Sequence, residues 1–125
     1  MKRTIHSENG PPAQGPYSHA VAWADLIFVS GQGPVDPQTG EVAHGDLEAE
    51  AALTLKNLDA VLNDCGSSLD KVLKITVFLS DMDDFGRFNE IYKRFFKTDY
   101  PARTCFQAGR LPLGIKVEID AIATL

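Results

Sequence analysis

The sequence predicts an α+β fold: a mixed, mostly antiparallel β-sheet with two helices packed on one face. Three observations carry this. Two stretches repeat apolar residues at spacings of three and four, the period of a helix. Several short stretches alternate apolar and polar residues, the period of a strand. The elements follow the order β-β-α-β-α-β-β, and two helices are too few to cover both faces of a sheet. The uncovered face must then meet solvent or another subunit. Its candidate residues Val72, Phe78 and Phe106 are not uniformly polar, and a half-apolar open face favours symmetric assembly.

The segment to Pro16 is rich in Gly and Pro and reads as extended loop. Ser18 to Val21 and Leu26 to Ser30 read as two short strands joined by a turn at Trp23-Ala24-Asp25. Gly33-Pro34 and Asp36-Pro37-Gln38-Thr39-Gly40 are turn signals, and Glu41-Val42 begins a short strand. Asp46 is a suitable N-cap for a long helix. Leu47, Ala51, Leu55, Leu58, Leu62 and Cys65 form its apolar stripe, and Gly66 fits the position just past its end. Lys71 to Leu79 reads as a strand, with Leu73, Ile75, Val77 and Leu79 facing the core and Lys74 and Thr76 facing away. Asp83 or Asp84 caps the second helix. Its stripe is Phe85, Phe88, Tyr92 and Phe95, widened by Ile91 and Phe96.

The last two strands carry the residues of most chemical interest. Alternation puts Arg103, Cys105 and Gln107 on one face of the first strand. In the second, Ile115, Val117, Ile119, Ala121 and Ala123 share one face, and Lys116, Glu118 and Asp120 the other. A hairpin centred near Leu111-Pro112 would set Cys105 opposite Glu118 and Arg103 opposite Asp120. One patch would then hold a fixed cation and a carboxylate able to act as a base. The competing reading is plainer: Arg103 as a salt-bridge partner of Glu118 or Asp120, and Glu118 as part of a solvated strand face.

Length and composition bound the answer. The chain has 125 residues, enough for one domain over residues 1–125 with its own core. A net charge of -5 argues against a nucleic-acid surface built on bulk positive charge. No apolar run approaches the roughly 20 residues of a membrane span, and the first residues lack the apolar core of a secretory signal. With only Cys65 and Cys105 and no paired-cysteine motif, reduced thiols in the cytoplasm are expected. His6, His19 and His44 are scattered, so no metal site is expected. Asp81, Asp83 and Asp84 cluster at a helix start, where capping and the helix dipole account for them.

Ordered motifs run along nearly the whole chain. They are Gly15-Pro16-Tyr17-Ser18; Ser30-Gly31-Gln32 followed by Asp36-Pro37 and Thr39-Gly40-Glu41; Thr76-Val77-Phe78-Leu79; Asp84-Phe85 with Asn89 and Tyr92; Pro101-Ala102-Arg103; and Val117-Glu118-Ile119. By these the chain resembles the reactive intermediate deaminase (RidA/YjgF) family. The Pro-Ala-Arg block with a glutamate fifteen residues after the arginine is the specific part. The resemblance implies a homotrimer with a chorismate-mutase-like fold and clefts between subunits. It implies hydrolysis of reactive imines and enamines, such as 2-aminoacrylate, to 2-keto acids and ammonia. The enzyme would be a 2-iminobutanoate/2-iminopropanoate deaminase that limits metabolite damage and uses no cofactor or metal.

The resemblance also assigns roles. Arg103 would hold the substrate carboxylate and Glu118 would activate water. Cys105 would line the cleft, Tyr17 would close it, and Asn89 would stand at its rim. Backbone groups near Ser30 and Gly31 would bind the imine end. The chemistry suits these residues. A guanidinium grips a carboxylate through two parallel hydrogen bonds. A carboxylate near the attacking water can take its proton and return it. Cys105 as a nucleophile would need a lowered pKa, and no histidine is placed in sequence to supply one. One departure is that Gly33 stands where the family carries a branched apolar residue, and this bears on the size of the pocket. His19 and the Phe106-Gln107 pair are also atypical.

Two other functions remain open at the level of sequence. One is a non-catalytic regulatory module that binds a small carboxylate through the same arginine. The other is an endoribonuclease or translation inhibitor, which the acidic balance disfavours.

Overall fold

The computed structural model describes residues 1–125. Six strands and two helices follow in the order β1 (Arg3–Ile5), β2 (Ala20–Trp23), β3 (Leu26–Gln32), α1 (Leu47–Asp64), β4 (Val72–Leu79), α2 (Phe85–Phe95), β5 (Ala102–Gln107) and β6 (Val117–Thr124). The strands form one sheet in the order β1-β2-β3-β6-β4-β5. Only β4 and β5 are parallel. A parallel neighbour needs a crossover, and α2 supplies it. Both helices cover one face, as the element count required.

Helix α1 forms where its stripe predicts. The Asp46 carboxylate accepts from the Ala49 N–H at 2.8 Å, a cap worth about 1 kcal/mol. Leu47, Ala51, Leu55, Leu58 and Leu62 are fully buried, as are Ile75, Val77, Leu79, Val117, Ile119 and Ala123 of the sheet. Each large apolar side chain so buried contributes roughly 1.5–3 kcal/mol. Gly66 follows the helix with φ 81°, a conformation a side chain would strain. No helix of the chain is long and apolar enough to cross a membrane.

Four expectations need correction. The hairpin between the last two strands does not form. Strand β6 (Val117–Thr124) inserts between β3 and β4, and β5 pairs with β4 at the sheet edge. The reason is compositional: β6 offers an unbroken apolar face that can be central, whereas Arg103, Cys105 and Gln107 can stand only at a margin. The opening segment is not all loop, because Arg3–Ile5 adds to β2 as an edge strand too short to show a period. In β4 the register shifts between Val72 and Lys74. Val72 therefore turns inward, and Leu73 is half exposed rather than facing the core. At α2 the Asp84 side chain makes no cap bond. Asp81 instead accepts from the Asp83 N–H at 2.9 Å and starts a 3-10 turn ahead of the helix.

Candidate active site

The sheet register decides where each predicted residue stands. Arg103 pairs with Ile75 and Cys105 with Val77, both core residues, so both point to the helix-covered face. Glu118 pairs with Phe78, and Phe78 in turn with Phe106, so Glu118 lies on the open face. Within one protomer Arg103 therefore meets neither Glu118 nor Asp120, and the salt-bridge reading is excluded. Apart from Cys105, which lines neither, the predicted residues separate into two cavities.

The first cavity, about 460 Å³, contains Glu118 with Tyr17, Ser30 and Gly31. The register of β3 slips between Val29 and Gln32, a bulge that carries Ser30 and Gly31 up to the glutamate. A Cβ placed on Gly31 would lie 2.9 Å from Glu118 Cδ, so only glycine permits this approach. Burial, with a smaller effect from Asp120, raises the Glu118 pKa above the usual carboxylate value. The Tyr17 hydroxyl accepts from the Gln14 N–H at 3.1 Å. Ser30 Oγ donates to the Ser18 carbonyl at 2.7 Å.

The N-terminal arm that carries Tyr17 is fastened at two points. Asp64, at the end of α1, accepts from Ser7 Oγ at 2.6 Å, from the Asn9 N–H at 2.9 Å and from Asn9 Nδ2 at 2.7 Å. These bonds, led by that from Ser7, hold its carboxyl below the usual range. Buried His19 accepts from the Ser7 N–H at Nδ1 (3.2 Å), which leaves Nε2 to donate to the Pro11 carbonyl at 2.7 Å.

The second cavity, about 430 Å³, holds Arg103 and Asn89 with Tyr92, Lys93 and Tyr100. The guanidinium carbon stands 4.8 Å from the Tyr92 ring centre and 5.5 Å from that of Phe85. It makes no ion pair within the chain, so its donors remain available for a carboxylate. Asn89 Oδ1 and Tyr92 Oη are buried beside it without a hydrogen-bond partner. Burial pushes the Tyr92 phenol up to about 12, against the pull of Arg103. Cys105 is half-buried next to Arg103. Burial raises its thiol pKa while Arg103 lowers it less, the opposite of what a thiolate nucleophile needs.

Sequence reasoning missed the part played by four residues. His19 and Gln32 line the Glu118 cavity, and nothing in their spacing marks them. Phe85 and Tyr92 are seven apart on α2 and were expected in the core. Tyr92 is buried, but Phe85 is partly exposed at the arginine.

Fold and site together define a small α+β protein whose arginine and glutamate approach opposite faces of one sheet. A family model described as Endoribonuclease L-PSP matches residues 7–125. TdcF of Escherichia coli (strain K12) is 44% identical over 126 residues, covering 98% of this chain and 97% of its own. The human 2-iminobutanoate/2-iminopropanoate deaminase is 42% identical over 123 residues, covering 98% and 90%. The crystal structure of E. coli TdcF with bound serine superposes with a TM-score of 0.92 at 42% identity, covering 98% of each chain. The yeast protein YEO7 gives 0.96 at 39% identity, covering 99% and 98%. This chain belongs to the Endoribonuclease L-PSP family, the YjgF/RidA family of the sequence motifs.

Proposed function

We propose that the protein hydrolyses reactive 2-imino and enamino acids, such as 2-aminoacrylate, to 2-keto acids and ammonia, as a cytoplasmic homotrimer with its sites between copies. The observation that carries this is the unpaired Arg103 guanidinium, held on Tyr92 and Phe85, in a chain whose candidate base lies on the opposite sheet face. Two copies can bring together what one keeps apart. The half-apolar open face, with Phe28, Leu73 and Phe106 exposed, is the surface that assembly would cover. The name of the human relative, at 42% identity over nearly the whole chain, supports the substrate class.

In this reading Arg103 of one copy grips the carboxylate through two N–H···O bonds. Glu118 of another takes a proton from water as the oxygen bonds to the imine carbon and the C=N double bond opens. Glu118 returns that proton to nitrogen to give the carbinolamine, then takes the carbinol O–H proton as the C=O bond forms and passes it to the same nitrogen, so the C–N bond breaks, ammonia leaves and the keto acid remains. A carboxyl pKa raised by burial suits a group that must both accept and release a proton. Tyr17 closes the cavity, Asn89 stands at the rim, Cys105 lines the wall, and the Ser30-Gly31 bulge presents backbone to the imine.

The test couples a pyridoxal-phosphate dehydratase that releases 2-aminoacrylate from serine to this protein and follows pyruvate. The unmodified protein should accelerate pyruvate release and Arg103→Ala should not. Equal rates for the two proteins would overturn the reading.

A second reading has its own support, because the solved TdcF structure holds serine. A ligand-sensing module would bind small carboxylates through Arg103 without turnover, and Glu118→Gln would leave that affinity intact.

A further inference from the structure

Gly33 lies on the wall of the Glu118 cavity and has no backbone reason to be glycine. The glycines with positive φ are Gly40, Gly66 and Gly114. Gly31 needs its missing Cβ because the Glu118 carboxyl occupies that space. At Gly33 a Cβ would meet Ile115 Cδ1 at 3.0 Å and the Val117 carbonyl at 3.8 Å, and nothing else within 4 Å. The backbone here is fixed independently. The Gly33 carbonyl accepts from the buried Asn57 amide at 2.9 Å and from the Val35 N–H at 2.9 Å.

What is missing at position 33 is therefore a side chain, and the space is partly taken by the tip of Ile115. Ile115 lies in the segment leading into β6, immediately after the turn Pro112–Gly114. Val35, Pro112 and Leu113 line the same cavity, so this part of the wall is apolar. A wall made by the end of one isoleucine, with no side chain at position 33 just past β3 to face it, leaves more depth than a branched residue at 33 would. The cavity of about 460 Å³ lies within the ~300–1,000 Å³ that holds ligands much larger than a methyl-bearing imino acid.

We propose that Gly33 and Ile115 set the side chain of the substrate. With Glu118 at the imine carbon, the apolar wall takes a branched or aromatic group in preference to the methyl of 2-iminopropanoate. The assignment rests on the deaminase reading for its reaction but not for its binding preference.

The experiment measures binding of sodium pyruvate, 4-methyl-2-oxopentanoate and phenylpyruvate to the full chain by calorimetry, with imine turnover followed separately. The unmodified protein should bind one of the larger keto acids at least about tenfold more tightly than pyruvate, the scale on which apolar pockets discriminate. Gly33→Ile should abolish that preference and change pyruvate affinity by less than about threefold. Ile115→Ala added to Gly33→Ile should restore it. Gly33→Ala should shift the ratio in the same direction by less, which serves if the isoleucine variant does not fold. A preference for pyruvate, a ratio unmoved by Gly33→Ile, or no keto-acid binding at all would overturn the assignment. The expected ratios without imine turnover would instead overturn the deaminase reading and leave this one standing.

Discussion

Arg103 and Glu118 stand on opposite faces of one sheet. Arg103 shares a face with Ile75 under α2, and Glu118 shares the other with Phe78 and Phe106. A side chain cannot pass through a hydrogen-bonded sheet, so a site using both residues must draw them from different copies.

Complementation follows directly. Arg103→Ala and Glu118→Gln should each be inactive alone. Mixed, unfolded and refolded together, they should recover part of the activity, because some interfaces then carry an intact arginine and an intact glutamate. Sedimentation should show the unmodified protein at three times the chain mass. No recovery from well-folded mixed trimers would show that Arg103 and Glu118 do not act in one shared site.

Gly31→Ala should damage the site more than the fold. The added Cβ would overlap the Glu118 carboxyl and force it aside. Misplacing a catalytic group by about 1 Å costs on the order of 100-fold. The expected result is kcat/KM down at least tenfold with the circular dichroism spectrum unchanged.

Rate against pH should report Glu118. Burial raises its pKa above 4.5. A base works only when ionised, so kcat/KM should rise with pH through a limb above 4.5 and then level off. Glu118→Gln should remove that limb together with most of the rate. A limb at the ordinary glutamate value would assign the ionisation to another group.

Asp64 provides a stability test of opposite sign. Its pKa is lowered in the folded protein, chiefly by the Ser7 hydroxyl. The folded state therefore holds its proton more weakly than the unfolded chain does. The stabilisation is complete above the unfolded value near 3.8 and is lost as pH falls through the lower folded value. Asp64→Ala should lower Tm above pH 4, and the difference from the unmodified protein should shrink as pH falls below 3.8.

Glu50 is fully buried and accepts from the Gly45 N–H at 3.2 Å, the Lys116 N–H at 2.9 Å and Lys116 Nζ at 3.1 Å. Glu50→Ala removes the shared acceptor of these donors, of which Lys116 Nζ is partly exposed and keeps the Gly45 carbonyl, and should cost about 2 kcal/mol in urea denaturation. Because Lys116 follows Ile115, the variant should also alter the keto-acid preference.

The sequence by itself determined the α+β class, both helices, the Asp46 cap, the Gly66 terminus and the inward row Val117, Ile119, Ala121 and Ala123. These follow from local periodicity and from end chemistry, which act over a few residues. Its motifs also marked Arg103, Glu118, Tyr17, Gly31 and Asn89 as residues to locate. Only the tertiary structure decided that β6 enters the middle of the sheet and β5 its edge. That choice depends on which strand can bury a face between two neighbours, a competition among segments far apart in the chain. The same competition put Arg103 and Glu118 on opposite faces and brought Phe85 and Tyr92 to the arginine. It also set Ile115 in the space beside Gly33, since a pattern fixes the face a side chain takes but not what stands across from it.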